Sequence, residues 1–429
     1  MIKPNTNIYG VYAREILDSR SNPTVETTVV LESGYRGTAS VPAGASLGKY
    51  EAIEVRDGDA KRYGGMGVLN AVSNIHSKLA PKITGQDAAN QSAIDARLIE
   101  ADATPNKKGL GANSLLSVSL ATAVAAASAY KTPLYRYLNV QYSAYVPTPL
   151  ERIPTPTFNI INGGKHGAGN LDFQEFHVVP ASNKSYSEAL RLGVEVYQAT
   201  KKILIYRNAV HSVGDEGGFA PDLFTNQDAL EILTEAIRTT PYRMGVDAFL
   251  GLDVAASHFK KDKNYQIKDR PAAYTSSEFI EYFKELNRTN RLLLLEDPLG
   301  EDDWDGWKLI TKLLGADVLI VGDDLLATNA ERLNRAIAEK ACGAILLKPN
   351  QIGTLSEFFA VAALAKKHDM KNIVSHRSGE TNDTFIADLA VAIQSQYVKF
   401  GAPARGERVA KYNRLLAIEA ELATQKNTS

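Results

Sequence analysis

The feature that most constrains this chain is a series of short apolar runs in its second half, each ending on a polar or charged residue. Phe249-Leu-Gly-Leu runs into Asp253, Leu292-Leu-Leu-Leu into Glu296, and Val318-Leu-Ile-Val-Gly into Asp323. Ala344-Ile-Leu-Leu then runs into Lys348, Ile373-Val-Ser into His376, and Tyr397-Val into Lys399. The polar ends are 43, 27, 25, 28 and 23 residues apart. The shorter intervals suit a strand, a helix of about 11 residues and two short loops, and the longest includes an insertion. Six such units in succession predict parallel strands joined by helices, closed into a (β/α) barrel. In a barrel of this kind the active site lies at the C-terminal strand ends, where these six residues fall.

A chain of 429 residues exceeds what one hydrophobic core usually supports, so two domains are expected. Residues 8–17, 24–31 and 35–41 alternate apolar and polar positions, as an antiparallel meander does. Helical patterns follow at 67–79, 91–102 and 114–130. Pro147, Pro149, Pro154 and Pro156 then stiffen a connection. The reading divides the chain into an α+β domain, residues 1–140, carrying a lid loop, and an α/β barrel domain, residues 141–429.

Charge and composition narrow the class. Forty-eight basic against 49 acidic residues leave a net charge of -1, so no global field draws in nucleic acid and no DNA binding is expected. The Ala- and Ser-rich stretch 115–130 is too weakly apolar for a membrane span and reads as a buried helix, so membrane insertion is not expected either. The first residues show no basic region followed by an apolar run, and Cys342 has no partner for a disulfide. Both point to a cytoplasmic protein.

Asp253, Glu296 and Asp323 supply hard oxygen donors from three strand ends, a set that suits Mg²⁺. Taken singly, each also reads as a helix cap or a solvated loop acid; their register with Lys348 favours a site. Lys348 follows a fully apolar run, and its amine can act as a base only where a metal offsets the acids around it. Glu216, in Asp215-Glu-Gly-Gly218, and Glu175, in Gln174-Glu-Phe176, offer two further carboxylates able to divide acid and base roles. His166 sits in the glycine turn Asn162-Gly-Gly-Lys-His166. His376, Arg377 and Ser378 share one strand-to-helix turn suited to a phosphoryl group, with Lys399 at the next strand end. Ser46 lies in Pro42-Ala-Gly-Ala-Ser-Leu-Gly-Lys49, which reads as a mobile lid or a plain surface turn. A GxGxxG fingerprint, a P-loop and a His-x-x-x-His zinc pattern are all missing from the sequence.

Together these motifs resemble the enolase family from about residue 8 to residue 421. The blocks that carry the resemblance include Asp18-Ser-Arg20, Gly44-Ala-Ser46, Gly214-Asp-Glu-Gly-Gly218, Gly251-Leu-Asp253 and Glu296-Asp-Pro298. Further blocks are Glu301-Asp-Asp-Trp304, Leu347-Lys-Pro-Asn-Gln-Ile-Gly-Thr354, Ser375 to Thr381 and Gly401-Ala-Pro-Ala-Arg405. The resemblance implies a capping domain before a barrel whose first units depart from the simple repeat. It implies dehydration of 2-phosphoglycerate to phosphoenolpyruvate, in glycolysis and gluconeogenesis, by a homo-oligomer of at least two chains.

By the same resemblance, Asp253, Glu296 and Asp323 bind a first Mg²⁺ and Ser46 reaches a second. Lys348 removes the C2 proton, Glu216 assists loss of the C3 hydroxyl, and Glu175 and His166 support it. Arg377 and Ser378 hold the phosphate, His376 contacts substrate, and Lys399 lies near the substrate carboxylate. A doubly negative enolate-like group needs such cations, and the enolase superfamily is a standard example of a Lys or His base working with Mg²⁺.

Some positions depart from the family pattern. Ser21 replaces a usual glycine, Ala43 and Leu47 alter the lid, Gly167-Ala-Gly169 rearranges the turn after His166, Pro349 follows the base, and Phe400 follows Lys399. Two other readings therefore stand beside the first: a superfamily dehydratase acting on an acid sugar, and an enolase-like binding or scaffold protein with reduced activity.

Overall fold

The computed structural model describes residues 4–44, 48–167 and 171–426. Strands β1 (Ile8–Leu17), β2 (Pro23–Leu31) and β3 (Arg36–Ser40) form the antiparallel meander that the alternation predicts, in the order β1-β2-β3. Helical turns span 69–83, followed by α1 (Gln91–Asp102), α2 (Ala112–Ala129) and α3 (Leu134–Ser143). Helix α2, expected from sequence to be too weakly apolar for a membrane span, is in fact long and apolar enough by length and composition; 89% of it is buried inside the protein, as the reading of a buried helix expects. It packs on β3 and β2, and its small residues permit a very close approach. A Cβ placed on Gly37 of β3 would come within 2.1 Å of the Ala125 backbone nitrogen. Gly37→Ala is accordingly expected to push sheet and helix apart and destabilise the protein by about 1–3 kcal/mol, read as a lower thermal midpoint.

Beyond the irregular residues 144–154 lies a nine-membered sheet. Its strands are β4 (Thr155–Pro156), β5 (Phe158–Asn162), β6 (Glu175–Pro180), β7 (Ala248–Asp253) and β8 (Leu292–Glu296). It continues with β9 (Leu319–Gly322), β10 (Ala344–Leu347), β11 (Lys371–Ser375) and β12 (Tyr397–Lys399). From β7 to β12 every neighbouring pair is parallel, and β12 pairs in parallel with β4. Only Thr157 separates β4 from β5, so one run of chain bonds β12 on one side and β6 on the other. The sheet is thereby nearly closed, a TIM-like α/β barrel behind an α+β domain.

The first units do depart from the repeat. β5 pairs with β6, and β6 with β7, antiparallel. Of the residues that join β5 to β6, the described ones, 163–167 and 171–174, hold the short turn Gly164–His166 and no crossover helix, and the chain returns antiparallel. Helices α4 (Tyr186–Tyr206) and α5 (Asn226–Arg238) lie between β6 and β7. The later connections carry α6 (Ser276–Asn290), α7 (Trp304–Leu314), α8 (Ala330–Glu339), α9 (Leu355–Lys367) and α10 (Phe385–Ala392), and α11 (Gly406–Lys426) follows the last strand.

Strand periodicity positions the site. Val179, Leu294, Val321, Ala344, Leu346 and Ile373 form one small apolar cluster, against which Phe249, Leu319 and Tyr397 also pack. Side chains two apart on a strand share a face. Continuing each strand by that step reaches Glu296 from Leu294, Asp323 from Val321, Lys348 from Leu346 and Lys399 from Tyr397. The polar groups thus stand directly above an apolar plug that fills the barrel interior.

Polar bonds tie the two domains together. The Ala43 and Gly379 backbones exchange hydrogen bonds of 2.8 and 2.9 Å. Asp95 of α1 accepts from the Ser356 backbone N–H at 2.8 Å, in the first turn of α9, where a carboxylate suits the helix dipole. Asp388 of α10 accepts from the Tyr135 N–H at 3.1 Å and from both ends of the Arg414 guanidinium at 2.7 and 2.8 Å.

Candidate active site

Asp253 and Glu296 are paired residues on adjacent strands β7 and β8, so their side chains leave the barrel side by side. Both are 2% exposed. Their carboxylates converge on one point, the Lys399 ammonium, at 2.8 Å each, and Glu175 lies 3.3 Å from the same nitrogen. Burial, and then the charge of Asp253, push the Glu296 carboxyl well above its usual range. Burial works against the Lys399 charge, but Asp253, Glu175 and Glu296 overturn that penalty and hold the ammonium well above its ordinary value.

Asp323 stands one strand further on, at the end of β9, in contact with the Lys348 amine from the end of β10. Burial works to raise Asp323, and Lys348 outweighs it, so the carboxyl is held below its usual range. Lys348 is held above its usual range for the converse reason, with burial, Arg377 and Lys399 pulling against Asp323. Gln351 donates to the other Asp323 oxygen at 3.3 Å, and Thr328 accepts the Lys348 N–H at 3.0 Å.

These donors fit a hard divalent cation. Two buried carboxylates already share a single cationic partner, and a third lies at the neighbouring strand end, which is the donor chemistry Mg²⁺ selects. A second grouping, Asp297, Asp323 and Asp324, has ligand oxygens within 4.8 Å of one another. Asp297 spends both oxygens on backbone N–H groups, of Asp323 at 2.9 Å and of Asp324 at 2.7 Å. Its part in this geometry is to fix the turn that presents Asp323. Asp324 is pushed up to about 7 by burial and by the neighbouring Asp323.

Glu216 lies in a turn closed by bonds from Gly217 to Gly214 (3.1 Å) and from Gly214 to Gly218 (2.8 Å). It is 2% exposed. Asn159 of β5 donates to its Oε2 at 3.2 Å, and His376 Nε2 lies 3.3 Å from the same atom. Glu175, the first residue of β6, contacts His177 Nε2 at 2.7 Å from the same face of the strand.

Arg377 and Ser378 are both buried in the turn after β11. The Arg377 guanidinium takes Glu51 in a two-point grip at 2.8 and 3.3 Å and donates to Asn350 at 3.0 Å. Glu51 belongs to the stem of the 42–49 loop, whose neighbours Lys49 and Tyr50 are bound to Asp302 at 3.0 and 2.7 Å. Ser46 itself and Leu47 lie outside the described residues. His166 ends the turn Gly164–His166, and its side chain is likewise outside them.

A cavity opens on this face, and Glu175, Glu216, Asp253, Lys348, Arg377 and Lys399 are among the residues that line it. Asp323, His376 and Ser378 line it too, so the structure brings together most residues proposed from sequence. Glu296 meets them through Lys399. Lys165 also lines the cavity, exposed, with no ion pair or hydrogen bond among the described residues.

Sequence reasoning missed Glu51, Asn159, His177, Asp297, Lys165 and Arg408. His177 had a readable signal, since it shares the Glu175 face of β6 by the period of two. Glu51 and Arg408 had none, because their partners lie hundreds of residues away or in another turn.

Two family models match the chain: "Enolase, N-terminal domain" over residues 8–138 and "Enolase, C-terminal TIM barrel domain" over residues 151–428.

Proposed function

The chain belongs to the enolase superfamily of lyases, and on that footing we propose that its reaction is the reversible dehydration of 2-phosphoglycerate to phosphoenolpyruvate. One observation carries the reading: a single cavity is lined by an amine able to take a proton, a buried carboxyl able to give one, and a guanidinium for the phosphoryl group. In the forward direction Lys348 Nζ accepts the C2 proton. The C–H electron pair becomes the C2=C3 bond, and the C3 hydroxyl departs as water with a proton from Glu216. Asn159 donates to the Glu216 carboxylate, and His376 Nε2 stands 3.3 Å from the same oxygen.

Asp253, Glu296 and Asp323 would hold magnesium, which supplies positive charge against the negative charge that gathers on the substrate carboxylate. Lys399, already bound to two of those acids, keeps a cation at the carboxylate end. Arg377 and Ser378 would face the phosphoryl group, and by the family resemblance Ser46 would supply a ligand to a second magnesium. A homo-oligomer of at least two chains and a cytoplasmic setting belong to the same proposal, supported by the family resemblance.

Dehydration of an unphosphorylated sugar acid competes on one observation, that Glu51 already neutralises Arg377. Initial rates of the purified protein with magnesium, on 2-phosphoglycerate and on a panel of unphosphorylated sugar acids, separate the two. A clear preference for 2-phosphoglycerate supports the proposal, and a clear preference for an unphosphorylated acid overturns it.

Lys165 offers a smaller test. As an exposed cation at the mouth, it is worth the usual fraction of a kcal/mol to an approaching anion. Lys165→Gln is expected to raise KM about two- to fivefold with kcat retained, and the difference from wild type should shrink with added salt.

A further inference from the structure

We propose that Arg408 is a positioning residue that holds His376 as a neutral imidazole with its one ring proton on Nε2, facing Glu216. The inference rests on placing Glu216 and His376 in the site. Arg408 lies in the first turn of α11 with 0% exposure. Its Nη1 is 2.7 Å from His376 Nδ1 and donates to the Arg377 carbonyl at 2.6 Å. Its Nη2 donates to the carbonyls of Ser378 at 2.6 Å and Asp215 at 3.1 Å. A guanidinium carries only donors and does not lose its proton in a protein. The nitrogen facing it must therefore accept, so Nδ1 is bare and the ring proton is on Nε2.

That nitrogen is the one 3.3 Å from Glu216 Oε2. The ring is confined there, because Gly401 (φ 83°) packs so closely that a Cβ would meet its Cε1 at 2.9 Å and the Glu216 carbonyl at 2.7 Å. Burial foremost holds the imidazole below its usual range, with Arg408 acting in the same direction and Glu216 and Glu175 against it. A neutral donor beside Glu216, unlike an imidazolium, does not lock the carboxyl in its anionic form. It suits a group that must deliver a proton. The same guanidinium bonds the backbones of both turns, Asp215 on the acid side and Arg377 and Ser378 on the phosphate side, so it sets their separation.

The test begins on the wild-type protein without turnover, which separates its failure from failure of the reaction assignment. With ¹⁵N-labelled histidine and His376→Gln to identify the signals, the His376 Nδ1 resonance at neutral pH should be that of an unprotonated nitrogen and Nε2 that of a protonated one. A proton on Nδ1 overturns the proposal. In Arg408→Ala, added guanidinium ion, but not methylammonium, should restore part of the lost kcat and return the His376 signals to the wild-type pattern. Equal rescue by both cations, or a His376 pattern unchanged in the variant, would contradict it. If the variant does not fold, the wild-type spectrum still decides.

Discussion

Lys348→Ala is expected to lower phosphoenolpyruvate formation by about 10³-fold or more, toward the upper end of what a positioned acid–base group supplies, and to remove exchange of the C2 proton with solvent to the same degree. Lys348 reaches the cavity because β10 is apolar throughout and period two turns residue 348 onto the face of Leu346. Its amine touches Asp323, and that acid keeps it charged. An amine held this way cannot take a proton until the charge on Asp323 is offset, so base and metal are coupled. The variant should still fold, since the partner left behind is one carboxylate at the edge of a cavity. Retained C2 exchange with lost product formation would instead assign the base to another group.

Glu296→Gln should weaken Mg²⁺ binding by about 100-fold or more, at or beyond the upper range seen when a mere supporting residue is changed. Titration calorimetry of Mg²⁺ into the protein with 2-phosphoglycerate present reads it. Glu296 is buried, its carboxylate converges with that of Asp253, and an amide in its place keeps the shape while removing the charge. Asp297→Asn provides the contrast. Its two oxygens bind the Asp323 and Asp324 N–H groups, so its loss should disturb the turn and weaken the metal less than Glu296→Gln does. The reverse order would place the ion on the Asp297, Asp323 and Asp324 group.

The barrel was legible because a strand buried on both faces writes itself as an uninterrupted apolar run, and each run stopped at its functional residue. The meander was legible for the opposite reason, that one face of it is wet and the sequence alternates. The antiparallel β5 and β6 were not visible in the rhythm of apolar runs, and only the resemblance implied an irregular start. Contacts between distant segments were also invisible: Glu51 on Arg377, Arg408 on His376, and Asp297 beneath Asp323 depend on the closed fold.

The departures from the family pattern now have physical readings where they are described. Ser21 takes φ 61°, a left-handed conformation that costs a non-glycine residue about 1–2 kcal/mol. Ala43 bonds Gly379 through its backbone, and its small side chain is buried. Pro349 opens the short helical turn after Lys348, where a missing N–H costs nothing. Phe400 is fully buried and packs at a tilt against Tyr412, with ring centroids 6.0 Å apart.

The central claim, a magnesium-dependent dehydration carried out by this cavity, is tested most directly by following phosphoenolpyruvate formation from 2-phosphoglycerate before and after chelation. The account predicts steady product formation with Mg²⁺, loss of activity with chelator, and recovery when Mg²⁺ is restored. No product from the folded protein with Mg²⁺ in excess, or a rate indifferent to the chelator, would contradict it.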